Sequence, residues 1–152
     1  MTHWHQRFLD LARHVAGWSH DPSTQVGAVI VDSDRRVVSQ GYNGPPRGTS
    51  NAACAADRET RLLRTIHAET NAILFARRDL AGCSLYVTHH PCAHCAAVII
   101  QSGLKQVYVT PMDTDEFRER WEVSLIAADM MFNEAGVTVS TVWPDTDTNN
   151  PE

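Results

Sequence analysis

Apolar positions along the chain switch between a helical and an alternating rhythm. Trp4, Phe8, Leu11, Ala12 and Val15 recur at helical spacing, which predicts an amphipathic helix over 3–18. Asp21-Pro22-Ser23 breaks it. Positions 26–31 (VGAVIV) form a short, continuously apolar, β-branched run, the pattern of a strand buried on both faces. Turn residues at 32–35 and the run 37–42 then read as the return arm of a hairpin. A long glycine- and proline-rich loop follows from Asn43 through Gly48.

Beyond the loop the rhythm alternates. A helix is expected over 65–77, a strand over 85–88, and a helix over 92–101 stopped by Gly103. A strand is expected at 107–109, then a helical stripe through Trp121, Leu125, Ala128, Phe132 and Ala135 capped by Gly136, and a last strand over 137–142. The order α-β-β-α-β-α-β-α-β implies parallel crossovers after the hairpin. The expected fold class is α/β, a three-layer α/β/α sandwich around a five-stranded mixed sheet. Residues 1–143 are expected to form one domain, and the polar stretch 144–152 (PDTDTNNPE) a flexible tail.

Composition narrows the function. The 152 residues carry 13 Lys and Arg against 18 Asp and Glu, a net charge of −5. This argues against a protein that grips a nucleic acid backbone. No apolar run approaches the ~18 residues of a membrane span, and the N-terminal residues do not resemble a signal peptide. A cytoplasmic protein is expected, in which the four cysteines stay reduced or bind metal. Four cysteines and eight histidines in one small domain raise the question of a metal.

Two short motifs answer it: His67-Ala68-Glu69 and Pro91-Cys92-Ala93-His94-Cys95, each opening an expected helix. Cys92 and Cys95 are three apart and share a helix face. Zinc favours such thiolates, a helix N-terminus stabilises them, and Pro91 suits the start of that helix. His67 supplies a third ligand. Three protein ligands leave a fourth position for water, the pattern of a catalytic rather than a closed structural zinc. Two thiolates neutralise the ion and weaken it as a Lewis acid, so a nearby base is needed. Glu69, two residues past His67, can take and return the proton. A Cys-x-x-Cys alone is equally a redox pair or a structural zinc knuckle; the upstream His-x-Glu favours catalysis.

H-x-E followed by P-C-x-x-C is the signature of the zinc-dependent nucleobase deaminases. The chain further resembles the deoxycytidylate (dCMP) deaminases of the cytidine deaminase superfamily. The similarity lies in 19–28 (SHDPSTQVGA), 41–48 (GYNGPPRG), 82–87 (GCSLYV) and 99–105 (IIQSGLK), and spans nearly the whole chain. It implies that His67, Cys92 and Cys95 hold zinc and that Glu69 shuttles protons. It implies that Asn43 hydrogen-bonds the sugar 3′-hydroxyl and that Val26 and Ala68 line the pyrimidine pocket. Backbone amides of Ala68 and Cys92 would hold the base edge. The implied reaction is attack of water on C4 of dCMP, giving dUMP for dTMP synthesis and ammonia.

The same resemblance implies a homohexamer activated by dCTP and inhibited by dTTP, with Mg²⁺ at the triphosphate. Tyr42, Gly44 and Arg47 are the expected place of that regulation. The chain departs from the family at His89-His90 and at His94 inside the Cys-x-x-Cys. His90, beside a ligand, is expected to stack on the base. The 5′-phosphate needs a cation, and Arg118, Arg120 and arginines of a neighbouring subunit are candidates. Cys54 and Cys83 read as packed residues, with His20 the only potential metal-ligand companion near Cys54. His3, His5 and His14 read as surface or capping groups. Deaminases of free cytidine, of cytosine or of tRNA adenosine, and a non-catalytic structural zinc module, are the alternatives.

Overall fold

A computed structural model of the chain describes residues 2–111 and 115–144. Helix α1 spans Thr2–Ala16, and the hairpin strands are β1 (Gly27–Val31) and β2 (Val37–Tyr42). Two short helices follow, α2 (Asn51–Ala56) and α3 (Arg58–Arg64), then α4 (Ala68–Ala76) and β3 (Ser84–Val87). The rest is α5 (Ala93–Gln101), β4 (Gln106–Val109), α6 (Asp115–Ala135) and β5 (Thr138–Thr141). The strands form one sheet in the order β2-β1-β3-β4-β5. β1 runs antiparallel to both β2 and β3, whereas β3, β4 and β5 are mutually parallel. The expected five-stranded mixed sheet with helices is therefore the observed one.

Alternation along single strands divides the core in two. All five residues of β1 are buried, but Ala28 and Ile30 join one cluster and Val29 and Val31 the other. Likewise Leu85 and Val87 face one side and Tyr86 the opposite. This is the two-residue period of a strand covered on both faces. Helices α4, α5 and α6 cover the first face through Ala72, Ile99 and Phe132. Helix α1 covers the second with Phe8, Leu9 and Ala12.

Two glycines let helices sit close on the hairpin. A Cβ at Gly27 would lie 1.9 Å from the Ala12 carbonyl of α1. One at Gly41 would lie 2.4 Å from the Ala68 carbonyl and 2.5 Å from the Ala72 nitrogen of α4. Gly41 lies in the expected strand 37–42, and its missing side chain seats α4.

The sequence expectation differs from the structure in three places. The helix expected over 65–77 starts at Ala68, with His67 as its N-cap, and the helix expected from Cys92 starts at Ala93, with Cys92 as its N-cap. Helices α2 and α3 carried no apolar period: α3 has no buried residue. They are set instead by caps, Ser50 Oγ accepting from the Ala53 N–H and Asp57 from the Thr60 N–H. Apart from Pro144, the tail expected over 144–152 lies outside the described residues.

Candidate active site

The N-termini of α4 and α5 meet beyond the carboxyl end of β3, the usual ligand position in an open α/β sheet. His67, as N-cap of α4, and Cys92, as N-cap of α5, both have extended backbone, and neither spends its side chain on a cap hydrogen bond. Cys95 lies one turn into α5. His67 Nδ1 stands 3.4 Å from Cys92 Sγ and 3.3 Å from Cys95 Sγ. The three donor atoms all lie within 4.8 Å of one another, the only such group of three or more among the described residues. Tetrahedral zinc with bonds of about 2.3 Å to sulfur and 2.05 Å to nitrogen places N and S roughly 3.6 Å apart. Donor chemistry and spacing therefore fit zinc.

The electrostatics suit the same purpose. Hydrogen bonds from Cys95 and then His67 hold the Cys92 thiol down at about 4. Its hydrogen bond with Cys92, then burial, pushes the Cys95 thiol up. The bond to Cys92 raises His67 against the opposing effect of burial. Glu69 is only 4% exposed, and burial raises its carboxyl above the ordinary value. Its Oε2 lies 3.6 Å from Cys95 Sγ, next to the donor cluster but outside it.

A cavity of about 110 Å³ opens over these groups, lined by Val26, Asn43, His67, Glu69, His90 and Cys92 among others. That is room for a few water molecules at roughly 30 Å³ each. Asn43 is buried and forms a clamp: its Oδ1 accepts from the Val26 N–H at 2.8 Å and its Nδ2 donates to the Thr24 carbonyl at 2.8 Å. Ser19 Oγ donates to the Asn43 carbonyl at 2.7 Å. One lone pair and one amide proton of Asn43 remain for a ligand. Ala68 is fully buried in the first turn of α4. His90 lines the cavity but is held from behind: Nε2 is 2.9 Å from Asp129 Oδ1 and Nδ1 is 2.9 Å from the Pro91 carbonyl.

Three arginines line the same cavity: Arg58, Arg61 and Arg120. Of the two sequence candidates, Arg120 is there and Arg118 is not among the lining residues. Arg58 and Arg61 were not expected. They lie on α3, and the Asp57 cap was the available signal for that helix. Arg61 is nearly buried, its Nε 3.7 Å from Asp21 Oδ2. Asp21 Oδ1 is occupied by the N–H groups of Ser23 and Thr24. Phe117 and Trp121 of α6 complete the wall.

Tyr42, Gly44 and Arg47 do not reach this cavity. They line an adjoining open groove of about 960 Å³ beside β2 and α4, which shares Asp21, Asn43, Arg61 and Thr65 with the cavity. Gly44 pairs with Ile66 through two backbone bonds, and Arg47 lies 4.9 Å over the Phe75 ring. Cys54 and Cys83 are buried and free, as expected. His5 is not merely a surface group: it stacks on Tyr108 at 4.1 Å and bonds Tyr86 OH at 2.9 Å.

The family model for the cytidine and deoxycytidylate deaminase zinc-binding region matches residues 2–110. The chain belongs to that family. It is 50% identical over 140 residues to an uncharacterised deaminase in the luxG 3′ region of Aliivibrio fischeri, covering 92% of this chain and 94% of that protein. It is 39% identical over 148 residues to human deoxycytidylate deaminase, covering 93% and 80%. Among solved structures, the dCMP deaminase of cyanophage S-TIM5 in apo form superposes with a TM-score of 0.70 at 25% identity, covering 90% of this chain and 95% of that one. The expected family, fold and deaminase class thus stand. Among the described residues no helix is long and apolar enough to cross a membrane.

Proposed function

We propose that this deaminase converts dCMP and water to dUMP and ammonia, with zinc held by His67, Cys92 and Cys95 and with Glu69 as the proton carrier. The observation that carries the reading is Glu69. A carboxyl this buried, beside a His-Cys-Cys donor group and lining a cavity, is suited to move protons rather than to solvate a surface. Zinc, when bound, polarises water and lowers its pKa. Glu69 accepts a proton from the attacking water, passes it to N3 of the base, and then carries the second proton to the departing C4 amine. Its raised affinity for a proton favours the accepting half of this cycle. The Ala68 and Cys92 amides would hold the base edge, Val26 and Ala68 its face, and Asn43 the sugar 3′-hydroxyl.

Arg58, Arg61 and Arg120 support a monophosphate over a free nucleoside. They put local positive charge on a chain of net charge −5. Arg61 is already steadied by Asp21, so little ordering remains when it meets an anion. The remainder of the reading is regulatory and biological. The groove at Tyr42, Gly44 and Arg47 would take dCTP as activator or dTTP as inhibitor with Mg²⁺, in a cytoplasmic homohexamer supplying dUMP for dTMP synthesis. Exposed Val123, Ile126 and Met130 on α6 support association between copies. The chain 1–143 would act as one domain.

A substrate panel tests the phosphate assignment. The zinc-loaded protein is expected to prefer dCMP over deoxycytidine by at least about 100-fold in kcat/KM. Arg61→Gln should narrow that ratio by about 10- to 150-fold, the effect of one charge-assisted hydrogen bond of roughly 1.5–3 kcal/mol. A wild-type preference for deoxycytidine, cytidine or a tRNA adenosine would overturn the dCMP reading.

A further inference from the structure

Cys92 occupies a position that normally performs a different task. An N-cap residue ordinarily turns a side-chain oxygen back onto the free N–H groups of the first helical turn. Cys92 makes no such bond, because its sulfur faces His67 and Cys95. Yet the Ala93 N–H, the first of α5, is satisfied. It donates at 2.8 Å to Ser124 Oγ, 31 residues later on α6. On the other side of Cys92, Asp129 of the same helix meets His90 Nε2 at 2.9 Å, while His90 Nδ1 lies 2.9 Å from the Pro91 carbonyl. One helix therefore grips the ligand-bearing turn on both flanks.

Apolar packing of α6 through Ala128 and Phe132 needs neither contact. An alanine at 124 would pack the half-buried position equally well and favour the helix more. What a serine adds is an acceptor aimed at a turn whose own cap residue is reserved for metal. We infer that Ser124 is a positioning residue for the metal centre: its Oγ caps α5 from outside, fixing Cys92 so that its sulfur stays directed at His67 and Cys95, with Asp129 steadying the turn through His90. This rests on the reading of His67, Cys92 and Cys95 as a zinc site.

The test is zinc affinity of the full chain, measured by competition with a chelator at 20 °C for wild type, Ser124→Ala, Ser124→Thr and Asp129→Ala. Loss of a group that orients a metal ligand typically costs 10–100-fold in affinity. Ser124→Ala should bind zinc at least about tenfold more weakly, and its cobalt-substituted form should show shifted visible bands. Ser124→Thr keeps the oxygen and should lie within about threefold of wild type. A purely structural serine would lower the melting temperature and leave zinc affinity at 20 °C unchanged, which would overturn the inference. So would failure of threonine to restore binding. Should Ser124→Ala not fold, Asp129→Ala, at an exposed position, is expected to weaken zinc about threefold, and wild-type affinity there would count against the clamp. A wild-type protein that takes up no zinc would overturn the zinc reading itself, a distinct result.

Discussion

Glu69 is one of 18 acidic residues, and among the described residues it is the only acidic or basic one that is buried. Burial converts a common side chain into a chemical tool, because the charged form is disfavoured and the group holds its proton at higher pH than a surface carboxyl. The spacing from His67 identified it in the sequence; its environment could not be read there. Tyr86 shows the same principle away from the site. Burial and the neighbouring Tyr108 push its phenol up to about 12, from an ordinary 10. The folded state thus binds this proton more tightly than the unfolded chain. Its contribution is complete below pH 10 and is lost as pH rises from 10 through 12. Urea unfolding between pH 9 and 12 should show wild type losing stability more steeply than Tyr86→Phe; parallel curves would contradict this.

At the scale of elements, the active site is a consequence of how α4 and α5 dock. Ala68, Ala72 and Gly41 bring α4 almost onto the backbone of β2, which fixes where His67 and Glu69 emerge. Gly41→Ala should cost about 1–3 kcal/mol through overpacking, a fall of roughly 2–12 °C in Tm. Gly44→Ala, with nothing within 4 Å of the added carbon, should shift Tm by less than about 1 °C. Calorimetry on the two variants checks the contrast. The strands and long helices were legible in the sequence because each buries a periodic apolar face. Helices α2 and α3 were not, since six or seven residues with few or no buried side chains leave no period. Their only signals are the Ser50 and Asp57 caps. Missing α3 also hid Arg58 and Arg61, which only the fold brings to the cavity.

Across the whole molecule, charge and chemistry are arranged locally rather than globally. An acidic chain carries a cavity with three arginines, a neutralising His-Cys-Cys group and one buried carboxyl. The metal motifs and the loop at 41–48 were readable in advance, because their chemistry depends on residue types at short fixed spacing. The split within that loop, Asn43 in the cavity wall but Tyr42, Gly44 and Arg47 outside it, was not, because it depends on which side of the fold each residue reaches. We propose that Glu69 drives water-dependent loss of the C4 amine from dCMP at this site. Ammonia release from dCMP by the zinc-loaded chain tests it most directly, with Glu69→Gln beside wild type and zinc content measured in both. Wild type is expected to release one ammonia per dUMP, and Glu69→Gln to lose at least about 100-fold with zinc retained. A zinc-loaded wild type that releases no ammonia from dCMP, or a Glu69→Gln variant as active as wild type, would contradict it.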